Sequence, residues 1–278
     1  MINPIVSVDE LAEFPDAVFA DVRWYLDGRN AHNEFTAGHL PDAVFVDLDT
    51  KLAAHDLPAS EGRHPFPTPQ AFGAAMSSLG ISDHSTVIAY DDTGGMTAGR
   101  LVVMLRMIGR NAAVLNGGIG AWSGPLVAGD EPAPTPAAFT ETPWPAERFA
   151  TADETAELAT SDRGIVIDAR SYERFTGEVT AIDPRPGHVP GAVSAPFAAA
   201  LDPVTKCFRP AHELHQHFSA LGVADAADVV AYCGSGVSTC VNILAIEQAG
   251  LAPARLYVAS FSGWSSDAAH PVETGPGR

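Results

Sequence analysis

The chain has 278 residues, 46% of them hydrophobic, which is enough for two domains of ordinary size and sets aside disordered, fibrous and membrane-embedded classes. Lys and Arg number 16 against 34 Asp and Glu, a net charge of −18, so nucleic acid and anionic membrane are poor partners. No apolar run reaches the roughly 18 residues of a membrane span, and Met1-Ile2-Asn3-Pro4 has no basic, then apolar, leader pattern, so a cytoplasmic protein is expected. In chain order, the apolar run 17–22 reads as a buried strand and 70–79 as a helix. Residues 87–90 read as a strand, 98–108 as a helix and 113–115 as a strand. Six prolines follow (Pro125, Pro132, Pro134, Pro136, Pro143 and Pro145), a spacing that excludes helix and central strand and reads as a semi-rigid linker. Beyond them come a strand at 164–168, a helix at 212–221, a strand at 229–232 and a helix at 238–249. Strands alternating with helices imply an α/β class with mainly parallel sheets, whose sites lie beyond the carboxyl ends of the strands.

The chain also repeats itself. Asp21-Val22-Arg23 returns as Asp168-Ala169-Arg170, and the run Gly38 to Ala43 returns as Gly187 to Ala192. Leu79-Gly80-Ile81 matches Leu221-Gly222-Val223, Val87 to Tyr90 matches Val229 to Tyr232, and Trp122 matches Trp264. Five matches in one order, at a near-constant spacing of half the chain, mean two homologous domains. The expected division is a first domain at 1–125, a linker at 126–146 and a second domain at 147–278.

Three cysteines, Cys207, Cys233 and Cys240, are too few and too odd in number for a disulfide framework, and their spacing matches no zinc site; no cofactor or metal is expected. Cys240 falls inside an apolar helix and Cys207 on a proline-flanked loop. Cys233 is different. It follows the strand end at Tyr232 and opens Cys233-Gly234-Ser235-Gly236-Val237-Ser238, after which a helix begins. Gly234 and Gly236 permit turns that aim backbone N–H groups inward, and the helix start adds its positive dipole end. Both favour negative charge on the sulfur, and the thiolate is the nucleophilic form. The repeat supplies an internal control: Asp91 stands opposite Cys233, so one domain carries the thiol and the other does not.

Asp168-Ala169-Arg170, the Gly187 to Ala192 motif and the cysteine loop together resemble the tandem-domain rhodanese superfamily of sulfurtransferases, over nearly the whole chain. The resemblance implies two rhodanese-like domains, each a mainly parallel sheet flanked by helices. It implies that Cys233 takes up sulfane sulfur from a small anionic donor as a persulfide and passes it to cyanide or a thiol, a thioredoxin-like protein thiol included. The loop Cys233 to Ser238 resembles the mercaptopyruvate type, while thiosulfate enzymes often place basic residues in the loop. A loop without Arg or Lys offers a dianion only N–H dipoles, whereas a single carboxylate can be read by an arginine elsewhere. Thiosulfate remains the alternative donor. The mercaptopyruvate resemblance further implies a Ser235–His64–Asp49 proton chain and substrate arginines at Arg174 and Arg185. Gly234, Gly236, Val237 and Ser238 would line the sulfur, and Arg170 would support the loop from below.

Two other classes compete. A cysteine phosphatase needs arginine six positions after the nucleophile, and Thr239 stands there. A non-catalytic rhodanese-like binding module would have no use for the glycines kept around Cys233.

Overall fold

The computed structural model describes residues 1–180 and 182–277. The chain divides into two units. The first comprises Met1–Ala54, Phe66–Pro145 and Pro203–Phe208; the second comprises His55–Pro65, Ala146–Asp202 and Arg209–Arg278. The proline-rich stretch up to Pro145 runs along the first unit, where aromatic residues anchor it. Trp144 donates its indole N–H to the Pro67 carbonyl at 2.8 Å and packs against Phe66 and Phe72.

In the first unit the elements are β1 (Ile5–Val6), β2 (Val18–Asp21), α1 (Ala31–Ala37), β3 (Val44–Phe45), α2 (Leu48–Lys51), α3 (Pro69–Ser78), β4 (Thr86–Tyr90), α4 (Ala98–Met107) and β5 (Asn111–Leu115). The five strands form a parallel sheet in the order β1-β5-β4-β2-β3. In the second unit they are α5 (Ala152–Ala159), β6 (Gly164–Asp168), α6 (Tyr172–Thr176), β7 (Val193–Ser194), α7 (Ala211–Ala220), β8 (Asp228–Tyr232), α8 (Thr239–Gln248), β9 (Arg255–Leu256) and α9 (Ser260–Ser266). Its four strands are also parallel, in the order β7-β6-β8-β9. The long strands are buried almost throughout, which is why they read as continuous apolar runs and not as alternating ones. Each expected strand and helix is present, with ends shifted by a residue or two. The two-residue edge strands carry too little pattern to be seen in the sequence.

The duplication extends to individual polar contacts. Arg23 clamps Asp21 at 2.6 Å and donates to the Gly38 carbonyl; Arg170 clamps Asp168 at 2.6 Å and donates to the Gly187 carbonyl. The Tyr90 hydroxyl accepts the Leu40 N–H, and the Tyr232 hydroxyl accepts the Val189 N–H. His39 stacks on Phe35 and His188 on Phe175, with ring centroids 3.9 and 3.7 Å apart. These buried charges and hydroxyls are all paired, as low-dielectric surroundings require. They fix the turn after β2 and β6 at the carboxyl edge of each sheet. The motifs that reveal the repeat are therefore scaffold.

Candidate active site

β8 ends at Tyr232, and the chain turns at once into the loop 233–238 before α8. Three backbone contacts pin the start of that loop. Cys233 N–H donates to the Ser260 hydroxyl at 3.2 Å, Phe261 N–H donates to the Cys233 carbonyl at 2.9 Å, and Ser262 N–H donates to the Gly234 carbonyl at 2.9 Å. Ser260 holds a left-handed φ of 53°, unusual for a non-glycine residue, and its hydroxyl also donates to the Tyr257 carbonyl. Arg170 lies over the Phe261 ring at 3.9 Å, so the Asp168–Arg170 clamp bears on the residue that holds Cys233. Gly236 has φ 74°, which re-aims the loop's peptide N–H groups. Cys233 is 1% exposed and forms no disulfide; Val237 is also buried, while Ser235 and Ser238 are partly open.

The segment 55–65 completes this unit from an unexpected part of the chain. It approaches α9 so closely that a Cβ on Gly62 would stand 2.4 Å from the Ala259 carbonyl oxygen, and one on Gly263 would stand 2.5 Å from that of Ser60. Arg63 N–H then donates to the Ser262 hydroxyl at 3.1 Å. The next residue, His64, places Nδ1 2.8 Å from the Ser235 hydroxyl, so this expected pair is formed.

Two guanidinium groups converge on the loop. A Cβ built on Gly234 would lie 2.8 Å from Arg174 Nη2 and 2.9 Å from Arg63 Nη2. A side chain at this position would push the two guanidinium groups aside, whereas the backbone, with no positive φ at Gly234, does not itself require glycine. Arg174 was expected here; Arg63 was not. Both are held by Asp183, which Arg174 reaches at 2.6 Å, Arg170 at 3.1 Å and Arg63 at 3.2 Å. The Asp183 side chain is only 4% exposed. Burial alone would push its carboxyl up. The Arg174 hydrogen bond and the charges of Arg174, Arg170 and Arg63 outweigh that and hold it below the ordinary carboxylate range. Asp168 and Asp183 against Arg63, Arg170 and Arg174 leave this cluster one positive charge in excess. No sequence pattern marks Asp183; its role comes only from where three distant arginines meet.

One expected residue, Arg185, is engaged elsewhere. Arg185 donates to the carbonyls of Ser265, Trp264, Asp267 and His270, at 2.7 to 3.4 Å. It ties down the end of α9, where unpaired helix carbonyls attract a cation. Asp49 belongs to the first unit, in α2, and accepts the Trp24 indole N–H at 3.0 Å. Among the described residues, no group of three or more His, Cys, Asp or Glu side chains could hold a metal ion, and no helix is long and apolar enough to cross a membrane.

The equivalent loop of the first unit shows what this backbone binds. Asp91 follows β4 as Cys233 follows β8, with Ile119 N–H donating to its carbonyl at 3.0 Å. Its Oδ1 accepts the N–H groups of Thr93 and Gly95 at 2.9 Å each. Its Oδ2 accepts the N–H of Thr97 at 2.9 Å, the Thr97 hydroxyl at 3.1 Å and the Ala98 N–H at 3.0 Å. The loop is an anion cradle, here filled by its own carboxylate.

A family model described as a rhodanese-like domain matches residues 7–125 and again 151–267. A Pseudomonas aeruginosa protein named a probable 3-mercaptopyruvate sulfurtransferase is 37% identical over 267 residues, covering 94% of this chain and 93% of that protein. A Mycobacterium tuberculosis protein provisionally named a thiosulfate sulfurtransferase is 35% identical over 262 residues, covering 92% and 90%. The solved structure of 3-mercaptopyruvate sulfurtransferase from Leishmania major superposes with a TM-score of 0.85 at 29% identity, over 95% of this chain and 74% of that one.

Proposed function

The chain belongs to the rhodanese-like family, and from that membership we propose that it is a sulfurtransferase working by double displacement, with Cys233 as the sulfur carrier and 3-mercaptopyruvate as the preferred donor. The observation that carries this reading is the pair of guanidinium groups at Gly234, the residue after the nucleophile, in a loop whose Ser235 is hydrogen-bonded to His64. A donor with one carboxylate matches the single excess positive charge of the Arg63, Arg170, Arg174, Asp168 and Asp183 cluster. A dianion would need a second.

The chemistry follows from the residues. Arg174 and Arg63 take the donor carboxylate, which sets the donor thiol against Cys233. The Cys233 sulfur attacks that sulfur, an S–S bond forms, and the donor C–S bond breaks with its electron pair passing to the leaving group as the enolate of pyruvate. Ser235, within the loop and hydrogen-bonded to His64, delivers the proton that converts enolate into pyruvate. In the second half-reaction cyanide or a thiol attacks the outer sulfur, and the Cys233 thiolate leaves. Loop N–H groups of the kind that hold the Asp91 carboxylate in the first unit would stabilise the anionic sulfur in both halves. Asp49, the third member that the resemblance implies, would orient His64 in such a chain, and Arg185, tied to the end of α9, takes no part in this scheme.

Thiosulfate is the second reading, favoured by the loop's peptide dipoles, which bind anions without regard to the rest of the donor. Thiocyanate formation from the two donors, compared as kcat/KM, decides between them. The expected result is a clear preference for 3-mercaptopyruvate. A clear preference for thiosulfate overturns the donor assignment and with it the proton-delivery role of Ser235 and His64. Mass spectrometry of the donor-treated enzyme should find one added sulfur atom on the peptide that contains Cys233.

A further inference from the structure

Thr239 opens α8. It is fully buried, and its hydroxyl has no hydrogen-bond partner among the described residues. A buried hydroxyl left unpaired is costly, so its presence here calls for a reason. The first unit supplies one. Thr97 holds the same place relative to Asp91 that Thr239 holds relative to Cys233, six residues further on in each loop. The correspondence is local as well as sequential. Ile119 N–H and Phe261 N–H bond the carbonyls of Asp91 and Cys233 at 3.0 and 2.9 Å, and the residues before them, Gly118 and Ser260, share left-handed φ values of 58° and 53°. In the first unit the Thr97 hydroxyl is paired: it donates to Asp91 Oδ2 at 3.1 Å.

Counting bonds from Cα identifies what the second unit lacks until sulfur is loaded. An aspartate runs Cβ, Cγ, Oδ; a persulfidated cysteine runs Cβ, Sγ, outer sulfur. Asp91 Oδ2 therefore occupies the position of the outer sulfur. We propose that the Thr239 hydroxyl donates a hydrogen bond to the outer, transferable sulfur of the Cys233 persulfide and holds that sulfur in its anionic form. Asp91 is in this sense a built-in likeness of the loaded enzyme, and Thr239 is a catalytic residue that the unloaded enzyme leaves without a partner. The inference rests on the reading of Cys233 as a persulfide carrier.

The test compares wild type with Thr239→Val, which keeps the shape and removes the hydroxyl, and with Thr239→Ser, which restores it. Enzyme is loaded with 3-mercaptopyruvate or thiosulfate, freed of donor, and the near-ultraviolet absorbance of the persulfide anion is followed against pH. The unloaded Thr239→Val protein should melt no lower than wild type, because no protein contact is lost. Its persulfide anion should be lost at a pH about one unit higher, the tenfold change expected of one charge-assisted hydrogen bond. Thr239→Ser should return the profile to that of wild type. Superimposable profiles for Thr239→Val and wild type overturn the inference while leaving the carrier reading intact. Failure of wild type to load with either donor overturns both. Should Thr239→Val not fold, Thr239→Ala against Thr239→Ser gives the same comparison.

Discussion

The loop after β4 and the loop after β8 share a backbone and differ in what fills it. In the first, the Asp91 carboxylate accepts five hydrogen bonds and leaves the cradle satisfied. In the second, a neutral or singly charged sulfur stands in the same place, and at least one buried donor, the Thr239 hydroxyl, waits without a partner. The contrast separates stability from reactivity within one molecule. A cradle that supplies its own anion is structure; a cradle that must borrow one is a site.

Cys233→Ser tests that division most severely. Transfer of sulfur should fall by about 10³-fold or more, as loss of a covalent nucleophile does, with the thermal midpoint little changed. Retained turnover would remove Cys233 from the mechanism. Next come the arginines, which sharpen what the second loop adds to the first. Arg174→Ala should lower kcat/KM for 3-mercaptopyruvate by about 10²-fold, chiefly through KM, with Arg63→Ala acting in the same direction; charge-assisted bonds of about 1.5–3 kcal/mol set that scale. An equal loss of kcat at unchanged KM would give them a different role. Asp91→Ala should do the reverse of Cys233→Ser. It strands four N–H groups, three of them buried, so unfolding measured by denaturant should show about 2–4 kcal/mol of lost stability, with the chemistry at Cys233 nearly untouched.

Acid should act on the second unit through Asp183. Its carboxyl lies below its ordinary value in the fold, so its contribution to stability is fully present above that value, about pH 4, and is lost as pH falls through the lower folded value. A pH series of melting midpoints should therefore show less acid loss in Asp183→Asn than in wild type, from a lower starting stability. The smallest effect concerns the net charge of −18. It repels an anionic donor at long range, so kcat/KM should rise modestly with ionic strength. A fall would mean that the arginine pair governs approach as well as binding.

Much of this was legible in the chain itself. The repeat, the strand–loop–helix setting of Cys233 and the aspartate in its place at position 91 are local signals, and local signals survive in sequence. His64 and Ser235 could be named from their motifs, and the structure brings them to 2.8 Å. Arg63 could not, because its value depends on Gly62 and Gly263 letting two backbones touch. Asp183 could not, because an acidic residue among 34 has no mark until three guanidinium groups meet on it. Arg185 shows the opposite failure. The mercaptopyruvate resemblance suggested it for the donor site, but a resemblance in an irregular segment says nothing about side-chain direction, and the carbonyls at the end of α9 claimed it.

Each unit also takes a piece of chain from the other half of the sequence: 55–65 is part of the second and 203–208 part of the first. A gene fragment encoding residues 147–278 would thus carry Cys233 but neither Arg63 nor His64. On a ribosome, those two residues emerge well over a hundred positions before the thiol they serve, and must wait for it.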